Sequence, residues 1–379
     1  DAVFSRIIIS FGLINMLDAL IQHQANAYRA STAVVNELNK QFTTSSNALV
    51  SELRDILDDL TNSEKAALTA GKYTTTRLKD FKSAFDVWYQ SIAVTLPELF
   101  LASSAAYTAY EVAFISGLYG GAVESSADDI VKAFKNTPMA GGALFNDLFS
   151  DLAESTRKQA LYAVRSGIQS GLSNQEIIAE LRGKRTKVGD SYEYVGGIVE
   201  QAKNKIEANV RTARSALANT AYNDTFTALG YEYVKFISTL DGRTTLICSS
   251  LSNNVYKMSE PHPTPPLHFR CRSILVGVNK DGNIEGKRPF VASDKPVSKI
   301  PKDQREGIVG QVDANVGFKD WFARQDSSFQ EKWLGKKRYQ LYKSGGYSIE
   351  KFIDPLGEKY TLKELQELDQ EIFKKLGLK

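Results

Sequence analysis

Apolar residues recur every three or four positions from Phe4 through Ile7, Ile8, Phe11, Ile14, Leu17, Leu20 and Ile21. That is the spacing of one buried helix face. Only Gly12 interrupts it, so the pattern predicts one long helix over 3–40. The polar stretch Thr43–Asn47 predicts a break, after which Leu49, Val50, Leu53, Ile56, Leu57 and Leu60 mark a second helix. A short third helix is expected, capped by Asn62 or Ser63 and stopping at Gly71. Two more, about 76–94 and 98–118, carry Phe81, Phe85, Trp88 and Ile92, then Leu99, Tyr107, Tyr110 and Phe114. Antiparallel helices with modest loops account for this first part.

Gly117–Gly121 and Pro138–Gly142 punctuate the chain, and a domain boundary is expected between them. A helix from about Asn146 to Ser170 follows, with Leu152, Ala160, Leu161, Val164 and Ile168 on one side. Ser173 and Glu176 have the spacing of a capping box and open a helix that closes at Gly183. Lys184–Gly197 predicts a hairpin turning at Gly189-Asp190, with Tyr192 and Tyr194 on one face. A long helix runs from Ile198 to Gly230, and Tyr231–Thr239 and Ile274–Val278 predict strands. If those strands pair, the loop between them is pinned at both ends. From Val278 to about Val316, Gly, Pro and Lys predict an extended linker. Trp321, Phe322, Phe329 and Trp333 then crowd a helical tail, with Asp326 and Gly335 as caps and Thr361–Glu364 as a second capping box. The fold class is mainly α (α+β): an N-terminal helical region over 1–140, a helical domain with a small antiparallel sheet over 141–279, and linker plus helical tail over 280–379.

At 379 residues the chain has room for two or three domains. A net charge of +3 argues against wholesale coating of nucleic acid, although residues 270–379 carry 22 Lys+Arg against 16 Asp+Glu. The apolar run Ile7–Ile14 is too short to span a bilayer and lacks the flanks of a signal peptide. A start at Asp1 fits a processed or truncated chain. Two cysteines fit an intracellular origin without a disulfide-built scaffold.

Both cysteines and two of the three histidines fall within Asp241–Ser273. Crowding of this kind ties a loop to itself by metal or sulfur. Three readings of the residues stand side by side. Cys248, His268 and Cys271 bind zinc with a fourth ligand such as Asp241 or His262. Cys248 and Cys271 form a disulfide, closing the loop by roughly 3 kcal/mol. Both remain buried thiols, the habit of free cysteine. A catalytic Cys248/His268 pair lacks any local signature, and a two-metal nuclease lacks its carboxylate cluster. Arg243, Arg270 and Arg272 suit phosphates or carboxylates, with an internal bridge to Asp241 favoured.

The run Asp241-Gly-Arg243-Thr244, Cys248, then Pro265-Pro266-Leu-His268-Phe-Arg-Cys271-Arg272 resembles the phage Mu F-like minor head (head morphogenesis) protein family. That family shows Arg-Thr and Cys-x-x-Cys, then Pro-Pro-x-His-x-x-Cys-Arg-Cys and a strand. Thr245 stands where its first Cys often lies, and Ser273 where it has its last. The resemblance covers about 150–379. It implies a structural, non-enzymatic virion protein inside the capsid at the portal vertex, present in several copies and found in host cytoplasm during assembly. The implied partners are the portal protein, with the major capsid protein and packaged DNA beside it, and no membrane. The implied role is head morphogenesis, DNA packaging or DNA ejection. No cofactor is expected beyond a structural zinc on Cys248, His268 and Cys271. Two rivals are a phage-encoded nuclease, protease or toxin using the Cys/His loop, and an internal DNA-binding protein.

Overall fold

A computed structural model describes residues 16–189 and 191–378. The start of the first predicted helix, with Phe4, Ile7, Ile8, Phe11 and Ile14, and the hairpin's Asp190, lie outside the described residues. The helices run α1 (Met16–Asp59), α2 (Asn62–Thr69), α3 (Thr76–Leu101), α4 (Ser104–Leu118), α5 (Ala127–Lys135), α6 (Phe145–Gln169) and α7 (Asn174–Arg182). The hairpin strands β1 (Lys184–Val188) and β2 (Ser191–Val195) precede α8 (Ile198–Ala228). Next come β3 (Tyr233–Ile237), β4 (Leu240–Asp241), α9 (Leu246–Ser250), β5 (Val255–Lys257), β6 (Ile274–Val278), β7 (Lys287–Val291) and β8 (Val309–Asp313). The tail holds α10 (Phe318–Ala323), α11 (Ser327–Leu334), α12 (Lys336–Ser344), α13 (Leu362–Leu368) and α14 (Gln370–Lys375). The fold is mainly α with small sheets, the class expected.

Two compact units share the chain. One, the helical unit, holds Tyr28–Ala109 and Ser126–Leu217. Its core is aromatic: Phe100, Phe134, Phe145 and Phe149 are wholly buried, with ring centroids 5.0–5.5 Å apart along the Phe100–Phe145, Phe134–Phe145 and Phe145–Phe149 contacts. The break expected at Thr43–Asn47 is absent, and α1 runs straight through it. Thr43 and Thr44 turn their hydroxyls back onto the carbonyls of Asn39 and Lys40, while buried Ser46 accepts the indole N–H of Trp88 at 3.2 Å. Polar side chains thus find partners inside the helix rather than ending it. The expected boundary near Pro97 is absent too. Pro97 is itself buried between Leu96 and Phe100, both 0 % exposed, so packing outweighs the lost backbone bond and α3 continues to Leu101. The cap of α2 is Thr61 rather than Asn62 or Ser63, because Thr61 alone has Glu64 three residues on to complete a capping box. The capping box at Ser173–Glu176 forms as expected.

The other, mixed unit holds the described residues up to Ala27, Tyr110–Ser125, and Ala218 onward. Its first sheet has the order β5-β3-β6, with β3 antiparallel to both neighbours. All five residues of β6 are buried. Gly277 in that strand has a reason to lack a side chain: a Cβ there would sit 2.8 Å from the buried ring of Phe226 in α8. The second sheet, β4-β7-β8, replaces the linker expected over 279–316. Arg288, fully buried in β7, donates to the carbonyls of Ser238 and Val316 and to Asn253. Lys235 in β3 donates at 3.0 Å to the carbonyl of Gly282 and to Asn315. These cations stitch the Gly/Pro-rich stretch onto the first sheet by contacts distant in sequence. The tail forms its own core of Phe318, Trp321, Phe322, Leu334, Leu341, Phe352 and Phe373, which also takes in Leu240 of β4. Asp326 caps α11, and Thr361 and Glu364 cap α13.

Candidate functional site

Residues 241–273 form the loop between the two sheets. Ile237 of β3 pairs with Ile274 of β6, so the loop leaves and returns within one ladder. Asp241 closes it a second time. Its carboxylate, 4 % exposed, accepts from both terminal nitrogens of Arg272 at 2.5 and 2.8 Å. It also accepts from the backbone N–H of Arg243 and its guanidinium, each at 2.9 Å, and from the Thr244 hydroxyl at 3.2 Å. Burial alone would raise the Asp241 carboxyl, but the Arg272 and Arg243 bonds outweigh it and hold the group below the usual carboxylate range. Arg270, the third candidate arginine, is exposed at φ 59°.

A third closure is made by sulfur and imidazole. Thr245 caps α9, which presents Cys248 toward the returning strand. Cys248 Sγ lies 3.7 Å from Cys271 Sγ and 3.3 Å from His268 Nε2, and the three donor atoms all fall within 4.8 Å of one another. Both thiols are free and at most 2 % exposed. The Cys248 thiol is pushed up by its hydrogen bond to Cys271 and by burial. Cys271 is held down by that same bond and by His268, against its own burial. Burial pulls the His268 imidazole down, yet Cys271 beside it leaves the group raised. His268 Nδ1 faces the carbonyl of Phe269 at 2.9 Å. Pro265 and Pro266 are buried under the loop.

The donor set fits part of a zinc site. Two thiolates on a tetrahedral zinc, each about 2.3 Å from the metal, stand about 3.8 Å apart, and an imidazole nitrogen about 3.6 Å from each sulfur. Among the described residues no fourth side-chain ligand joins the three. Asp241 is taken by its arginines, and His262 stacks on Tyr256 at 5.8 Å with Nδ1 facing the Glu260 carbonyl. At the two positions where the resemblance places further cysteines stand Thr245, whose hydroxyl accepts from the backbone N–H of Cys248 at 3.5 Å, and buried Ser273; both act to lower the Cys248 thiol against its larger upward causes. A thiol kept protonated and buried, as Cys248 is, is the reverse of an activated nucleophile.

Sequence reasoning missed a second buried polar cluster. His23, the histidine outside the Asp241–Ser273 loop, meets Glu111 at 2.9 Å, and Tyr222 donates to the same carboxylate oxygen at 2.7 Å. Phe114 stacks on the imidazole at 3.5 Å. No local pattern marks residues 88 and 111 positions apart as neighbours.

Residues 158–276, less than a third of the chain, match the family described as phage Mu protein F like protein, and this stretch is similar to that family. No curated protein and no solved structure matches the chain.

Proposed function

We propose that the chain is a structural minor head protein of a tailed phage, held inside the capsid at the portal vertex. It docks on the portal protein and assists head morphogenesis, DNA packaging or DNA ejection. The observation that carries this reading is the phage Mu F-like stretch 158–276, which contains the whole clamped loop. The loop's geometry agrees: Arg272 bonds Asp241, Cys248 bonds His268 and Cys271, and both thiols are buried. Such a loop holds a shape, its two arms tied at each closure. A zinc ion on Cys248, His268 and Cys271 would serve the same end, by fixing the two arms of the loop together.

Quantitative mass spectrometry of purified particles, before and after triggered DNA release, tests the proposal. A low, fixed copy number per particle is expected. Retention after release marks a lasting vertex component, and loss marks an ejected protein. Absence from particles overturns the structural reading.

A further inference from the structure

The β1–β2 hairpin stands apart from the rest of the helical unit in one respect. Every residue of β1 is exposed, as are Tyr192, Glu193, Tyr194 and Val195 of β2, so neither face of this ribbon is used for the core. The register sorts its side chains. Arg185 pairs with Tyr194 and Lys187 with Tyr192 across the strands. Side chains alternate faces along a strand, and directly opposed residues share one. Arg185, Lys187, Tyr192 and Tyr194 therefore lie on one face, and Lys184, Thr186 and Glu193 on the other. The first face holds two cations, two phenols and no acid. The Arg185 guanidinium sits 4.8 Å from the Tyr192 ring centre, and Arg182 at the foot of the ribbon sits 4.9 Å from that of Tyr194. Tyr192 and Tyr194 are 62 % and 42 % exposed.

The ribbon is aimed by its root. A Cβ on Gly197 would meet the backbone nitrogen of Gly183 at 2.1 Å, so the two strands leave the body through a backbone crossing that only glycine allows. Gly183 itself has φ 98°. A two-stranded ribbon of five residues is about 17 Å long, and the DNA major groove, about 12 Å wide, admits such a ribbon. Arginine, lysine and tyrosine hydroxyls are the donors that phosphate oxygens take.

We propose that the Arg185/Lys187/Tyr192/Tyr194 face of this hairpin binds the phosphate backbone of duplex DNA. The proposal goes beyond the head-protein reading and rests on the hairpin alone. The test is fluorescence anisotropy of the purified full chain against a short mixed-sequence duplex, titrated at several salt concentrations. Arg185→Gln with Lys187→Gln should lower the slope of log affinity against log salt by about 1.8, a loss on the order of 60-fold at about 0.1 M salt. The control Lys374→Gln with Lys375→Gln removes the same charge from the other unit and should leave affinity unchanged. Excision of residues 184–196, joining Gly183 to Gly197 where their backbones already touch, should abolish binding with the helical circular dichroism intact. Absence of duplex binding by the native chain, or an equal loss in the tail control, overturns the proposal. Because purified protein is assayed, neither result bears on whether the chain is found in particles.

Discussion

Replacing Asp241 by Asn removes one charge from the centre of the loop and almost no volume. The carboxylate is 4 % exposed and accepts five hydrogen bonds from three residues, two of them arginines. Removing one member of a buried ion pair costs about 3–5 kcal/mol, because the remaining charge is left without a partner. Arg272 is 20 % exposed and Arg243 40 %, so water relieves both in part, and the lower end, about 3 kcal/mol, applies. That corresponds to roughly a 150-fold rise in local opening. Hydrogen exchange of peptides covering β3 and β6, whose pairing begins at the loop's two ends, reads the change directly. The comparison is Asp294→Asn, an exposed carboxylate paired with Lys332 at 3.0 Å, where a change under about 1 kcal/mol is expected. The pH dependence has a fixed sign. Asp241 titrates lower in the folded chain than its unfolded value of about 3.9. Its stabilisation is therefore complete well above that value, and is lost as pH falls through the folded one. The gap between native chain and variant should be widest at neutral pH and close in acid. Equal exchange at neutral pH, or a gap that persists undiminished in strong acid, would refute the clamp.

Two further outcomes follow from the same geometry. Thr245→Cys with Ser273→Cys puts thiols at the two positions where the resemblance places cysteines, beside the Cys248, His268 and Cys271 cluster; the purified variant should retain about one zinc per chain by elemental analysis, and a metal-free variant would show that the four positions do not converge. Gly277→Ala drives a methyl to within 2.8 Å of Phe226 and should cost about 1–3 kcal/mol in urea unfolding. Adding Phe226→Leu should recover part of that loss, and additive losses in the double variant would place the strain elsewhere.

Local chemistry was legible in the sequence, and contacts between distant residues were not. Ser173–Glu176, Asp326 and Thr361–Glu364 announce helix starts because the cap and its partner lie three residues apart. The tail aromatics also meet as their spacing suggests, with Phe322 and Trp333 at 4.8 Å and Trp321 and Phe329 at 5.5 Å. Thr43–Asn47 and Pro97 misled for one shared reason. Each is a helix breaker by propensity, and each is held in a helix by packing: Ser46 takes the indole of distant Trp88, and Pro97 is buried beside Leu96 and Phe100. The strands over 287–313 were hidden by a composition that mimics a linker. Their anchors, Arg288 and Lys235, act on carbonyls that no local window links to them. At the loop, Cys248, His268 and Cys271 were found together because the strands on either side pair. The bidentate Arg272–Asp241 bond, and the basic–aromatic face of the hairpin, needed the register as well as the pattern.

The tail has a consequence for what counts as a module in this chain. The indole N–H of Trp333 donates to the carbonyl of Thr244 at 2.9 Å, and Leu240 and Leu246 lie against the tail's aromatic core. The phage Mu F-like stretch ends at residue 276, short of every one of those covering residues, and it begins at 158, inside the helical unit. Its boundaries therefore mark the extent of a sequence likeness and not what folds by itself. A fragment cut at those boundaries would leave the loop's apolar underside wet, and would lose one of the hydrogen bonds that hold Thr244 in place.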